Sequence, residues 1–158
     1  MGTLADATSE FLAKKRIAVA GVSRHAEGHG ANSVYKRLRD RGYEVFAVNP
    51  AADRVEGDAC YHDLKSIPGG VDAVVIATPA SAAESVAREC KELGITSVWM
   101  HRSWGEGSVS DEAVAYCAEN GIKAIPGGCP LMFSPTSDFG HVCMRWFLGV
   151  TGGLPKVA

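Results

Sequence analysis

Five short apolar runs, separated for the most part by segments of helical periodicity, constrain the fold of this chain more than any other feature. They are RIAVAG near 16–21, EVFAVN near 44–49, DAVVIAT near 72–78, TSVWMH near 96–101 and IKAIPG near 122–127. Val, Ile and Ala fill them with little alternation, the pattern of strands covered on both faces. After the first run Val34, Tyr35 and Leu38 recur at helical spacing, with Gly42 at the helix end. After the third, PASAAESVARECKELG opens with Pro79 in a first-turn position and stops at Gly94. After the fourth, SDEAVAYCAENG has Ser110 as its cap, acids in its first turn and Gly121 as its stop. The second connection, PAADRVEGDACYHDLKSIPGGV, carries turn residues and one helical turn near Asp63–Ser66. A Pro/Gly-rich loop follows the last run, then a helix predicted from about Asp138 to Leu148. The N-terminal segment reads as a short amphipathic helix with Leu4, Phe11 and Leu12 on one face. This alternation predicts an α/β domain: a single doubly wound, open parallel sheet of about five strands, Rossmann-like, with helices on both faces. One domain is expected over 1–158, with a core of about 14–130 and a C-terminal loop and helix over 131–158.

Composition then narrows the partners. The 158 residues are 46% apolar and 22% charged, with a net charge of −2 and no Lys/Arg block. That balance gives no electrostatic case for nucleic acid or an anionic membrane. No apolar run approaches the roughly 20 residues needed to cross a bilayer, and the N-terminus lacks the basic-then-apolar order of a signal peptide. The five cysteines, Cys60, Cys90, Cys117, Cys129 and Cys143, are odd in number and form no C-x-x-C pair. A reducing cytoplasm is the expected compartment.

In doubly wound sheets ligands bind beyond the carboxyl ends of the strands, where the strand order reverses. Here the loop after the first strand runs from Gly21 to about Asn32. Gly21 permits a tight turn and close backbone approach. Ser23 offers a hydroxyl, and the amides near Asn32, Ser33 and Val34 direct the helix dipole at whatever occupies the loop. The dinucleotide fingerprint G-x-G-x-x-G is not met, because Gly21 is followed by V-S-R-H-A, putting Ser23 and Ala26 where glycines belong. Nor does an acidic residue end the second strand to hold ribose hydroxyls; Asn49-Pro50 stands there.

The segment GVSR…GHGANSVYKRLRDRGYEVFAVNP resembles the CoA-binding domain shared by the succinyl-CoA synthetase α subunit, ADP-forming acyl-CoA synthetases and small stand-alone CoA-binding proteins. The resemblance continues through GDACYHDLKSIPGGVDAVVIATPASAAESVARECKELGITSVW and covers most of 14–130. It rests on the G-x-S loop, a Tyr at the start of strand two, Val-Asn-Pro at its end, and Tyr-x-x-Leu-x-x-Ile-Pro before strand three. It implies that Gly21, Val22 and Ser23 meet the phosphates of coenzyme A, with Asn32 and Ser33 at the helix start. It also implies that Asn49 and Pro50 line the adenosine side, while Ala77, Thr78 and Pro79 border the nucleotide. The 3′-phosphate calls for a cation, and Arg24, Lys36 and Arg54 are all candidates. Two departures stand out. IATPAS follows the larger synthetases rather than the small members, and GGCPLMF replaces the R-C-P-K-I-E-Y that small members tend to carry.

The synthetases' chemistry uses a phosphorylated histidine in a following domain, and nothing in this chain matches it. His141 reads as a packed or surface histidine. His101, ending the fourth strand on the ligand edge, could touch a ligand or act in proton transfer, although packing is its default. Cys129, in a Gly-Gly-Cys-Pro turn on the same edge, could form a mixed disulfide with bound coenzyme A; an ordinary loop cysteine is the default. No metal-ligand spacing is present, since Cys60-x-His62 with Cys129 or His101 fits no zinc pattern. Trp99, Trp104 and Trp146-Phe147 read as core or interface. The apolar residues of the last helix (Phe139, Val142, Met144, Trp146 and Leu148) point to docking on the sheet or on a second subunit, with a homodimer expected. The expected function is binding of coenzyme A or an acyl-CoA without catalysis. A small NAD(P)-dependent oxidoreductase or redox sensor is the alternative, and a ligand-free interaction module a third.

Overall fold

The computed structural model describes residues 2–25, 29–102, 107–133 and 135–155. Helix α1 (Leu4–Leu12) opens the chain and is held at its start by a capping box. The Thr3 hydroxyl accepts from the Asp6 amide, and the Asp6 carboxylate accepts from the Thr3 amide. Then follow β1 (Arg16–Ala20), α2 (Gly30–Asp40), β2 (Glu44–Val48), β3 (Arg54–Val55), β4 (Asp58–Tyr61), β5 (Ala73–Ile76) and α3 (Ala80–Glu92). The chain continues through β6 (Ser97–Met100), α4 (Asp111–Glu119), β7 (Lys123–Pro126), a 3-10 turn at Pro130–Met132, and α5 (Phe139–Thr151).

The strands form one sheet in the order β3-β4-β2-β1-β5-β6-β7, parallel except for β3 against β4. Seven strands therefore replace the expected five. The additional pair lies in the second connection, ahead of the turn expected near Asp63–Ser66, which forms with the Ser66 amide on Asp63 Oδ1 and the Ile67 amide on the Leu64 carbonyl. Val55 and Asp58 are joined there by a two-residue hairpin turn in which Glu56 and Gly57 both have positive φ, 49° and 83°. Each of the five predicted runs forms a strand.

Side chains of β1 alternate between two cores, as the pleat requires. Ile17 and Val19 join α1, α2 and Trp99 on one face, while Ala18 and Ala20 join Ala83, Ala87 and Cys90 of α3 and Ala113 and Cys117 of α4 on the other. Trp99 is fully buried, stacks edge-on against Phe11 at 5.3 Å between ring centroids, and donates its indole N–H to the Gly127 carbonyl at 2.9 Å. It is a core residue. Pro79 sits one position earlier than expected, as the N-cap of α3. Helix α5 begins at its Asp138 cap and ends at left-handed Gly152. Met144 and Leu148 pack on the core, and Phe139, Trp146, Phe147 and Val150 stay exposed.

Candidate functional site

β1 has β2 on one side and β5 on the other, so the chain leaves β1 in one direction and later returns in the opposite one. A cleft of about 780 Å³ opens at that switch point, beyond the carboxyl ends of β1, β2, β5 and β6. Gly21, Ser23, Asn49, Pro50, Ala77, Thr78 and Pro79 line it, as do His29 and Gly30 at the start of α2. The α3 face adds Ala82, Ser85 and Glu89, and His62, His101 and Ser108 complete the wall.

Helix capping separates this cleft from the rest of the molecule. Helices α1, α4 and α5 each start with a side-chain cap, from Thr3, Ser110 and Asp138. The two helices that start at the cleft, α2 and α3, have His29 and Pro79 as N-caps and no side-chain cap hydrogen bond. The first-turn amides of a helix need acceptors from outside it. Two uncapped N-termini on one cleft give it donors and positive partial charge suited to an anion.

The loop between β1 and α2 is held by one buried amide. Asn32 is 1% exposed. Its Oδ1 accepts from the Ser23 amide at 2.8 Å, and its Nδ2 donates to the Ser23 carbonyl at 2.8 Å and to Glu56 Oε1 at 2.9 Å. Lys36 faces the same Glu56 carboxylate at 3.7 Å. Asn32 thus acts from behind the loop, tying it to the β3–β4 hairpin. Asn49 does similar work beside it: its Nδ2 donates to the Val22 carbonyl at 2.9 Å and its Oδ1 accepts from the Ala51 amide at 2.8 Å. A Cβ on Gly21, whose φ is 101°, would lie 2.5 Å from the Ala77 carbonyl oxygen. Gly21 therefore lets β1 and β5 exit side by side.

The remaining expected contacts fall elsewhere. Val22 and Val34 are fully buried in the core, and Ser33 is exposed on α2 outside the lining. Arg54 donates to the Gly57 carbonyl at 2.6 Å, and Lys36 faces Glu56, so neither lines the cleft. Arg24 is exposed next to Ser23 and is also outside the lining. Ala26 and Trp104 lie outside the described residues. Cys129 is 1% exposed, so its thiol is closed to a ligand in this conformation. Burial also raises the thiol pKa of Cys60, Cys90 and Cys117, to about 12 for Cys90 and about 11 for Cys117. His101 is lowered to about 4, first by burial and then by nearby His141.

Sequence reasoning passed over His29, Gly30 and Glu89 and weighed His62 only as a metal ligand. For the two helix starts a signal was available, because neither His29 nor Pro79 is a capping residue. The Glu89 carboxylate accepts from the Leu64 and Lys65 amides at 2.6 and 3.2 Å and so fixes the turn after β4. A second groove, about 370 Å³, runs along the β7 edge between α1 and α4, where Lys123 is already paired with Glu10 and Asp6 caps α1. Among the described residues no group of three or more His, Cys, Asp or Glu could hold a metal ion, and no helix is long and apolar enough to cross a membrane.

A doubly wound sheet with an anion-suited cleft at its switch point defines a nucleotide-binding class of α/β domain. Within it, residues 15–135 match the CoA binding domain, and the chain belongs to that family. It is 32% identical over 115 residues to the uncharacterized protein YneT of Bacillus subtilis, covering 73% of this chain and 82% of that one. It is also 37% identical over 83 residues to the ADP-forming acetate–CoA ligase II of Archaeoglobus fulgidus. That match takes in 51% of this chain and 12% of the ligase. Among solved structures, a hypothetical protein from Pyrococcus horikoshii OT3 superposes with a TM-score of 0.74 at 26% identity, covering 82% of this chain and 89% of that one.

Proposed function

We propose that this protein binds coenzyme A or an acyl-CoA in the switch-point cleft, as a single binding domain over 1–158 that carries, senses or delivers the coenzyme without catalysing its chemistry. The observation that carries the proposal is the pair of helix N-termini, α2 and α3, left without side-chain caps on the cleft of a CoA-binding-family chain. The phosphates of the coenzyme fit over Gly21, Ser23 and these helix starts. Asn49 and Pro50 take the adenosine side, and Ala77, Thr78 and Pro79 border the nucleotide. The non-catalytic part rests on the groups present: His101 is a weak base, and the Cys129 thiol is buried. A reducing cytoplasm as the compartment belongs to the same proposal and is supported by the burial of Cys60, Cys90, Cys117 and Cys129 as small core side chains.

Thermal denaturation of the reduced protein with CoA, acetyl-CoA, NAD⁺ and NADP⁺ side by side tests this. A ligand at 100 times its Kd adds about 2.7 kcal/mol, or about 5–10 °C for a domain of this size. The expected result is a rise with CoA or acetyl-CoA alone. A rise with a nicotinamide nucleotide alone would overturn the proposal in favour of an oxidoreductase, and no rise at all would favour a ligand-free interaction module.

The same proposal includes a homodimer through α5. Phe139, Trp146 and Val150 recur at helical spacing with exposures of 86%, 71% and 70%, a stripe larger than isolated surface apolar residues would make. Light scattering should give twice the chain mass for the wild type and the single mass for Trp146→Glu. A monomeric wild type would remove this part.

A further inference from the structure

The cleft receives no lysine or arginine among its described lining residues; the residues there able to carry positive charge are three imidazoles, His29, His62 and His101. A pyrophosphate with a further phosphate monoester is strongly anionic, and fixed guanidinium or ammonium groups usually meet such charge. We propose that His29 and His62 fill that role here, so that the protein takes up protons as it takes the ligand and binds it more tightly as pH falls toward 6.5. This inference rests on the CoA proposal above.

The two histidines line the cleft from different elements, and in this proposal the pyrophosphate lies at His29 and the 3′-phosphate at His62. His29 is the N-cap of α2, beside its uncapped amides, and lines the cleft together with Ser23. His62 follows β4 at the far end of the cleft, near Asn49 and Pro50, with Nε2 2.8 Å from Asp53 Oδ1. The Asp53 side chain is 92% exposed, so a phosphate can join it on the imidazole and add to the negative charge already there.

Other charged groups border these rings. Around His62 they are Asp53, Asp63, Lys65 and the α3 residue Glu89. Asp63 is held by Ser66, and Glu89 by the Leu64 and Lys65 amides. Beside His29 lies His101 of the β6 exit, whose ring a Cβ on the adjacent Gly30 would touch at 2.9 Å; Arg24 and His25 precede it in the same loop, outside the lining. His101 is lowered by burial and stays neutral over this range, so it shapes the wall without adding charge. Imidazole is the side chain whose charge ordinarily changes between pH 5 and 8. Phosphate placed against one favours its protonated form, which fixes the sign: protons enter with the ligand, and affinity rises as pH falls. Above about pH 6.5 a phosphate monoester keeps most of its second charge, so the ligand contributes little to this slope.

Titration calorimetry of the whole chain with CoA, at about pH 6.5 and pH 8.0 in buffers of different ionisation enthalpy, counts the protons directly. The expected result is on the order of one proton taken up per complex and about ten-fold tighter binding at the lower pH. His29→Gln and His62→Gln should each flatten that dependence. The His62 share should vanish with 3′-dephospho-CoA. Arg24→Gln, which removes a charge that does not titrate, should leave the ratio of affinities at the two pH values unchanged. CoA binding with equal affinity at both pH values and no proton uptake overturns this inference and leaves the CoA proposal intact. A pH dependence unchanged in both glutamine variants overturns it too. No CoA binding at either pH overturns both.

Discussion

Asn32→Asp should unfold the cradle although it changes the shape of the side chain hardly at all. The Nδ2 group donates to the Ser23 carbonyl and to the Glu56 carboxylate, and a carboxyl oxygen put in its place faces two acceptors. The site is 1% exposed, so water cannot intervene. An unpaired buried charge costs about 3–5 kcal/mol, and the lost donation to the Ser23 carbonyl costs about 1–3 kcal/mol before relaxation, while Glu56 keeps Lys36 at 3.7 Å. A net loss of about 3–5 kcal/mol corresponds to about 6–20 °C in melting temperature for a domain of this size. The pH dependence identifies the cause. Burial and two neighbouring acceptors raise the introduced carboxyl's folded pKa above its unfolded value, so the variant is least destabilised in acid, where a protonated carboxyl can donate to one acceptor. Its deficit should then grow as pH rises from about 4 toward 7. Denaturant melts at several pH values measure this. A deficit that does not vary with pH would mean that the site admits water, and that Asn32 is not the closed tie between the loop and the β3–β4 hairpin.

The difference between what the sequence revealed and what it concealed follows from how far each feature depends on distant partners. Runs such as RIAVAG and DAVVIAT announce buried strands because burial on both faces demands uninterrupted apolar residues, and those residues are contiguous. The strand exits then follow, and with them Gly21, Asn49, Pro50 and Ala77–Pro79, all of which line the cleft. The β3–β4 hairpin was not legible. Two residues carry no periodicity, and the turn places Glu56, a residue without glycine's freedom, at φ 49°. Glu56 is held there beside Asn32 and Lys36, partners about twenty residues away. The placement of the cations was hard to read for a related reason. A lysine or arginine side chain can reach in many directions, and Arg54 and Lys36 turn to local acceptors, the Gly57 carbonyl and Glu56. Capping lies between these cases. Ser110 was readable as a cap from its own neighbours, whereas the empty caps at His29 and Pro79 gain meaning only when both are seen on one cleft.

The close passage of β1 and β5 makes Gly21→Ala the other large effect. Two costs add at this position. A residue with a Cβ pays about 1–2 kcal/mol to hold the left-handed conformation that φ 101° approaches. The Cβ would also lie 2.5 Å from the Ala77 carbonyl oxygen and 2.8 Å from the Thr78 amide nitrogen, both main-chain atoms that cannot rotate aside. Relief requires the exit of β5 to move away from β1 at about 1–3 kcal/mol, the usual scale of overpacking. Gly42→Ala separates the terms, since Gly42 has a φ of 85° with nothing within 4 Å of an added Cβ and should lose only the conformational part. The expected order is Gly21→Ala well below Gly42→Ala, with a total loss of about 2–5 kcal/mol for Gly21→Ala. Function should divide the two variants further. Moving Ala77–Pro79 displaces the start of α3 and with it one of the two uncapped helix ends, so Gly21→Ala should lose its stabilisation by CoA even where it remains folded. Gly42, at the far end of α2, should keep that stabilisation in full. Equal losses in the two variants, with the CoA-induced rise preserved in both, would show that contact between the strand exits does not set the shape of the cleft.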